Sequence, residues 1–336
     1  MRSLYFSDLH GHVFREFSEI RDGMNSRLCD CVEVLQKIYQ FAIDNKIDDI
    51  RFLGDLFHLK NNLDSHVIKH IMEIFIEMAN RFPLIIIPGN HDYRAWTHDP
   101  VLLKFMQDFG GMIRMGDAPG WINPKSADIQ IYAEPYTRKT KELVERISNL
   151  EIKEENNIFL GHQDIIGVQY YGFTVKHGLN PDDLSKKFRW SFIGHYHAPM
   201  KIRKNVISVG APLQHNFNDA GGRRGWWVHD SESGELNFIE NDFSPRFIDL
   251  NLEQDNEIDF SDDKNFYRIK INGAKPVRGL ENIKWKRVTY EFQPKKKSRS
   301  SLRFSDSNQV LISKYVEARA GKLNKRKLIK IGMRYL

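Results

Sequence analysis

The sequence predicts an α/β fold, and three features carry the prediction. Between residues 3 and 87, short apolar runs alternate with stretches of helical periodicity. From Met112 onward the pattern becomes strand-rich. Asp, Asn and His side chains collect just after the ends of the predicted strands, the edge where open α/β sheets place their ligands.

Ser3 to Phe6 reads as the first strand. Leu28, Val32, Leu35, Tyr39 and Ala42 then recur at three- and four-residue steps, which predicts an amphipathic helix over 26–45. Ile50 to Leu53 is the second strand. A helix over 65–80 follows, with Val67, Ile71, Ile74, Phe75 and Met78 on one stripe. Pro83 then precedes the third strand, Leu84 to Ile87. Such alternation implies parallel strands with right-handed crossovers.

The second half offers strands at Met112–Met115, Ile129–Ala133, Ile158–Leu160, Phe192–Ile193, Val206–Val209, Trp226–His229 and Leu236–Ile239, and a helix near Lys139–Leu150. Gly221-Gly222-Arg223-Arg224-Gly225 reads as a turn before a strand, its arginines either at the surface or on phosphate. An acidic stretch, Asp242 to Phe260, precedes two alternating segments, Phe266–Ile271 and Arg287–Phe292. Lys295-Lys296-Lys297-Ser298-Arg299-Ser300-Ser301 has the composition of a linker. From Asp306 the chain reads as two helices separated by Gly321, and so short a pair must dock its apolar side chains on its own body or on a partner.

With 336 residues, 41% of them hydrophobic, the chain can bury a large core. No apolar run approaches the roughly 20 residues that span a bilayer, and the N-terminus lacks a signal-peptide pattern, so a cytoplasmic location is expected. The two cysteines, Cys29 and Cys31, lie two apart on a predicted helix and do not face each other, which excludes a disulfide framework. The formal charge of +6 hides an asymmetry: residues 264–336 hold 21 Lys and Arg against 4 Asp and Glu. Either this basic tail is simply solvated or it meets a polyanion.

Five motifs carry the chemistry: Asp8-Leu9-His10, Gly54-Asp55, Gly89-Asn90-His91-Asp92, Gly161-His162 and Gly194-His195-Tyr196-His197. Oxygen and imidazole donors without Cys suit Mn, Fe or Zn, and favour the harder divalent ions. Asp55 follows a glycine that permits a tight turn, and its two oxygens make it the best bridge between two ions. Two metals about 3.5–4 Å apart are the usual means of hydrolysing phosphate esters. The leaving alkoxide still needs a proton, which His91 is placed to give.

In this order the five motifs resemble the calcineurin-like metallophosphoesterases. That resemblance implies a two-sheet α/β sandwich flanked by helices, with one metal on Asp8, His10, Asp55 and His197, the other on Asp55, Asn90, His162 and His195, and His91 as the catalytic histidine. Many phosphatases of the family carry Asp three residues after the bridging Asp, where this chain has His58. Gly54-Asp55-Leu56-Phe57-His58 resembles the SbcD-type DNA nucleases, phage relatives included, in which the second histidine helps reorient the phosphate; the alternative is an ordinary loop residue. His12 is a spare histidine beside the first motif.

The same resemblance divides the chain into a nuclease domain (1–242), a small α+β capping domain (243–294), a basic linker (295–305) and a C-terminal helical pair (306–336). It implies two divalent ions, Mn2+ foremost with Mg2+ or Fe as alternatives. It also implies DNA as substrate, cut exonucleolytically at duplex ends and endonucleolytically in single strands, in break repair, recombination or replication. The implied partners are an SMC-like ATPase of the SbcC type bound through 306–336 and a second copy of the chain, with no membrane. Helices 26–45 and 64–80 would either dimerise or cover their own sheet. The competing readings are a phosphatase or cyclic-nucleotide phosphodiesterase on the same metals, or a non-catalytic scaffold.

Overall fold

A computed structural model describes residues 1–93, 101–109, 112–122, 129–152, 155–253, 262–272, 277–291 and 307–335. The chain starts with β1 (Arg2–Phe6), α1 (Ser26–Asp44), β2 (Asp49–Phe52), α2 (Ser65–Arg81), β3 (Leu84–Ile86), α3 (Val101–Met106) and β4 (Ile113–Met115). Asn25 caps α1 by accepting from the backbone N–H of Arg27 and Leu28, and Asp64 does the same for α2 through His66. The strands pair parallel, as the alternation requires. Their residues alternate between two buried faces: Leu4 and Phe6 join the cluster under α1 and α2, while Tyr5 turns the other way.

The chain then builds a second sheet from β5 (Gly120–Ile122), β6 (Gln130–Glu134), β7 (Asn157–His162), β8 (Trp190–Gly194), β9 (Met200–Arg203) and β10 (Val206–Ser208). Helices α4 (Thr140–Asn149) and α5 (Pro181–Lys187) contribute Leu143, Ile147 and Leu184 to the core on its outer side. Finally β11 (Gly225–Asp230) and β12 (Leu236–Glu240) return to the first sheet. The two six-stranded sheets run β12-β11-β1-β2-β3-β4 and β9-β10-β8-β7-β6-β5. Tyr5, Ile85, Ile131, Leu160, Phe192 and Trp227 fill the layer between them. Arg51 is fully buried, its guanidinium held by Asp49 (2.9 Å) and the Tyr5 hydroxyl (2.6 Å).

Beyond the sandwich lies a three-stranded parallel sheet of β13 (Phe247–Glu253), β14 (Asp262–Asn272) and β15 (Ile283–Glu291). The two segments read as alternating do pair, and a third strand lies within the stretch read as an acidic separator. This sheet touches the sandwich through the segment before α1. Lys284 Nζ is 2.6 Å from Glu19, and Arg287 is 2.8 Å from Glu16. The Arg27 guanidinium stacks 4.0 Å from the Phe14 ring centre and 5.2 and 5.4 Å from Phe247 and Phe266.

The linker expected over 295–305 lies outside the described residues. After it come α6 (Asn308–Arg319) and α7 (Lys325–Gly332), which approach closely because a Cβ on Gly332 would lie 2.9 Å from Ile312 Cγ2. Neither helix buries a side chain, and Val310, Tyr315, Leu323 and Ile331 stay exposed.

Two alternatives left open by the sequence can be set against the fold. The stripes of α1 and α2 are spent on the chain's own first sheet, with Leu28, Leu35, Val67, Ile71 and Phe75 all in its core. Of the two alternatives, these residues cover their own sheet, while Val32, Tyr39, Phe41, Ile43 and Ile68 of the same helices are only partly buried. Arg224 is neither a surface turn residue nor a free phosphate contact: it is 5% exposed and paired with Asp219 at 2.8 Å, while Arg223 pairs with Glu240.

Candidate metal centre

Because β1, β2 and β3 run parallel to one another in the first sheet, and β7 and β8 in the second, their C-terminal ends gather on one edge. Asp8 and His10 follow β1, Asp55 follows β2, Asn90 and His91 follow β3, His162 ends β7, and His195 and His197 follow β8. All the residues singled out in the five motifs are thereby brought to one place. Asp8, His10, Asp55 and His162 form a buried floor; Asn90, His91, His58, His195 and His197 are half-buried above it.

The approach is tight. A Cβ on Gly54, which sits at φ +92°, would lie 2.5 Å from Gly89 N and 2.7 Å from His162 Nδ1. Asp8, His10, Asp55 and His195 also take positive φ, at 54°, 48°, 58° and 99°. Asp92 fastens two of the loops by accepting the backbone N–H groups of Asp55 (2.7 Å), Leu56 (3.0 Å) and Gly89 (2.8 Å).

The donors fall into two groups. In one, ligand atoms of Asp8, His10 and His197 lie within 4.8 Å of one another. Asp8 Oδ1 is buried with no hydrogen-bond partner, and His10 Nε2 faces His197 Nε2 at 3.2 Å. In the other, Asn90 Oδ1 lies 3.1 Å from His162 Nε2 and 3.0 Å from His195 Nδ1. Asp55 Oδ2 stands between the groups, 3.6 Å from His10 Nε2 and 3.5 Å from His162 Nε2. Its other oxygen accepts the backbone N–H of His91 at 2.7 Å. One oxygen of Asp55 thus faces both groups, where the sequence suggested one oxygen for each. An orphaned buried carboxylate oxygen and facing imidazole nitrogens fit a pair of divalent cations, and the all-oxygen-and-nitrogen donor set fits harder ions.

The far nitrogens are fixed by partners that orient each ring. His162 Nδ1 is 2.7 Å from the Leu53 carbonyl and His195 Nε2 is 3.1 Å from Asp164. His197 Nδ1 is 3.4 Å from Asp219, whose carboxylate also accepts from the Tyr171 hydroxyl, the Arg224 guanidinium and the His215 N–H. Burial alone would raise Asp219, but His197 and Arg224 hold it well below the usual carboxylate range. Likewise burial opposes the charge on Asp55, while His162 and His10 hold it ionised. His215 forms part of the site wall, its Nε2 2.9 Å from the Asp8 carbonyl. Since a carbonyl only accepts, that nitrogen carries the hydrogen.

His91 Nδ1 is 2.6 Å from the His58 carbonyl, so it donates there and leaves Nε2 free. The His58 ring stacks on His91 at 5.8 Å, and burial, then His91, pulls it down to about 4. His10, His58 and His91 also have nitrogens within 4.8 Å of one another, so this corner too could hold a cation. His12 packs its ring on Phe14 and His58 and belongs to none of these groups. The whole opens on a cavity of about 490 Å³ lined by His10, Asp55, His58, Asn90, His91 and His197, among others. Asp164, Tyr171, His215 and Asp219 were not anticipated. Only Asp164 carried a local signal, standing two residues after His162.

The chain is 23% identical over 213 residues to exonuclease subunit 1 of enterobacteria phage T4, covering 62% of this chain and 61% of that protein. It is 26% identical over 200 residues to the DNA double-strand break repair protein Mre11 of Sulfurisphaera tokodaii, covering 58% of this chain and 48% of that protein. The alignments thus span between about half and three-fifths of these relatives. A purple acid phosphatase from yellow lupin seeds superposes with a TM-score of 0.42 at 13% identity, covering 71% of this chain and 52% of that one. Residues 1–199 match the family described as calcineurin-like phosphoesterase, and the chain belongs to that family.

Proposed function

We propose that the chain is a Mn-dependent DNA phosphodiesterase, the nuclease subunit of an SbcCD-like complex that processes DNA ends. The observation that carries the reading is the arrangement of two donor groups around Asp55 Oδ2, beside a cavity walled by His58 and His91. One ion would be held by Asp8, His10, Asp55 and His197, and the other by Asp55, Asn90, His162 and His195. When bound, two such ions supply Lewis acidity toward phosphoryl oxygens and nucleophilic water at neutral pH.

The chain's own contribution is proton transfer and orientation. His91, anchored through Nδ1, presents Nε2 to the cavity; protonated there, it donates to the departing sugar oxygen. His58, stacked on His91 and held neutral by burial, seats the phosphate. The two curated relatives, by their names an exonuclease subunit and a DNA break repair protein, support DNA over a phosphomonoester. Cleavage at duplex ends and within single strands is carried over from the same resemblance.

The C-terminal pair supports a protein partner. Its exposed Val310, Tyr315, Leu323 and Ile331 sit among lysines and arginines with nothing buried in either helix, as a docking element requires. The occupant would be the coiled-coil base of an SbcC-type ATPase. A homodimer belongs to the same reading. No helix among the described residues is long and apolar enough to cross a membrane.

The test is a three-substrate assay with Mn2+: a single-stranded oligonucleotide, a small phosphodiester and a phosphomonoester. Cleavage of the first two is expected, and hydrolysis of the monoester alone would sink the nuclease reading. Replacing His91 with Ala should leave metal and DNA binding intact and lower cleavage by a factor of about 100 or more. Cleavage within a few-fold of the parent would remove His91 from its role.

A further inference from the structure

A second cavity, of about 650 Å³, adjoins the metal centre through Asn90, which lines both. Its size falls in the range of ligand-binding pockets. Most charges around it are cancelled within the protein. The buried Glu134 is gripped by Arg146 through Nη2 (2.7 Å) and Nε (3.1 Å). Asp117 pairs with Lys104 at 3.1 Å, and Lys139 with Glu142 at 3.2 Å. Lys60 and Arg138 also line the cavity, and among the described residues neither has a hydrogen-bond or ion-pair partner. The uncompensated charge is therefore positive, and it sits at two points.

Tyr136 lines the same cavity and also reaches the metal centre. Its backbone N–H is tied to the Pro88 carbonyl at 3.0 Å, and its half-buried ring lies 6.2 Å from the rings of both His162 and His195. A flat aromatic surface beside a phosphate-hydrolysing centre, sharing one cavity with two free cations, suits the groups of a nucleic-acid strand. Aromatic rings take unpaired bases and cations take the phosphates between them.

Building on the nuclease reading, we propose that this cavity holds the nucleotide flanking the scissile phosphate of a single DNA strand, its base stacked on Tyr136 and its outer phosphate on Lys60 and Arg138. A base within a duplex is already stacked and paired, so the site selects frayed or single-stranded DNA. The contact is with a ring face and backbone charge, so it is independent of base identity.

The experiment uses the full chain and a fluorescein-labelled oligothymidylate of about 12 nucleotides, a length that covers a typical single-strand site. Anisotropy in EDTA gives metal-free binding. Cleavage of the same oligonucleotide and of bis(p-nitrophenyl) phosphate is followed with Mn2+. Tyr136→Ala should weaken binding about tenfold, within the range for loss of one stacked base, and raise KM for DNA alike. It should leave the small diester within about threefold, and Tyr136→Phe should match the parent, since the ring face survives. Lys60→Ala with Arg138→Ala should reduce the slope of log affinity against log salt by about 0.7, the value for one single-strand phosphate. Unchanged binding in Tyr136→Ala, an unchanged salt slope, or equal loss on both substrates would overturn the proposal. Parent protein that binds DNA through Tyr136 yet cleaves none would refute the nuclease reading and keep the cavity; DNA cleavage indifferent to Tyr136 would do the reverse.

Discussion

Replacing Asp219 with Asn tests how far the protein around the metal centre sets its affinity. Asp219 is 2% exposed, and one of its oxygens meets His197 Nδ1 at 3.4 Å and Arg224 Nη2 at 2.8 Å. The carboxylate favours the tautomer that leaves His197 Nε2 free to face His10. An amide keeps the volume but offers one acceptor where the carboxylate offers two, and its NH2 group would meet an N–H donor. Losing such a partner costs 10- to 100-fold in metal affinity, about 1.4–2.7 kcal/mol. Calorimetric titration of Mn2+ into chelator-stripped protein should show one of two binding events weakened by that factor, with the event assigned to Asn90, His162 and His195 changed less than about twofold. Equal weakening of both would place the effect in folding, and two unchanged events would refute the reasoning outright.

Other expectations concern stability and assembly. Arg51→Met should cost about 3–5 kcal/mol in chemical denaturation, because Asp49, 4% exposed, is left as a buried charge without its partner; adding Asp49→Leu should restore most of the loss. His229 is 1% exposed, both ring nitrogens lack partners, and burial, then Arg51, lowers it from 6.5 to about 4. The unfolded chain therefore binds a proton first as pH falls: this stability is complete above about pH 6.5 and lost on descent toward pH 4, up to about 3 kcal/mol. His229→Phe should flatten that part of the pH–stability curve, and an unchanged slope would acquit His229. Removing 306–336 should leave Mn-dependent cleavage of single strands intact and abolish capture of the coiled-coil ATPase in a pull-down; retained capture would refute docking through the helical pair.

Much of the architecture was legible because the information was local. A strand end followed by Asp8-Leu9-His10 or Gly194-His195-Tyr196-His197 is readable without knowing what lies opposite, and parallel pairing then delivers all five motifs to one edge. Some missed elements also had local signals. Phe247–Glu253 alternates Ile, Leu and Leu with polar residues, yet its acidity suggested a separator. Asn180-Pro181-Asp182-Asp183 is a cap followed by Pro and acidic residues, the signature of the short helix α5. Asp219 and Tyr171 were beyond reach for a different reason. Each sits in a turn or short hairpin far from His197 in sequence, and only the folded chain makes them its partners. The same holds for α1 and α2: an apolar stripe is visible in sequence, but not the surface it covers.

The left-handed backbone at Asp8, His10, Asp55 and His195 bears on how the protein should be handled as much as on what it does. Each such residue costs on the order of 1 kcal/mol relative to a relaxed conformation, and the buried, unpartnered Asp8 oxygen adds to that cost. Cations that bind only the folded form offset this by mass action. The chelator-stripped protein is accordingly its least durable state. Storage with a divalent ion should lengthen its working life, and attempts to stiffen the chain by relaxing those four positions would gain durability by giving up the geometry on which the centre depends.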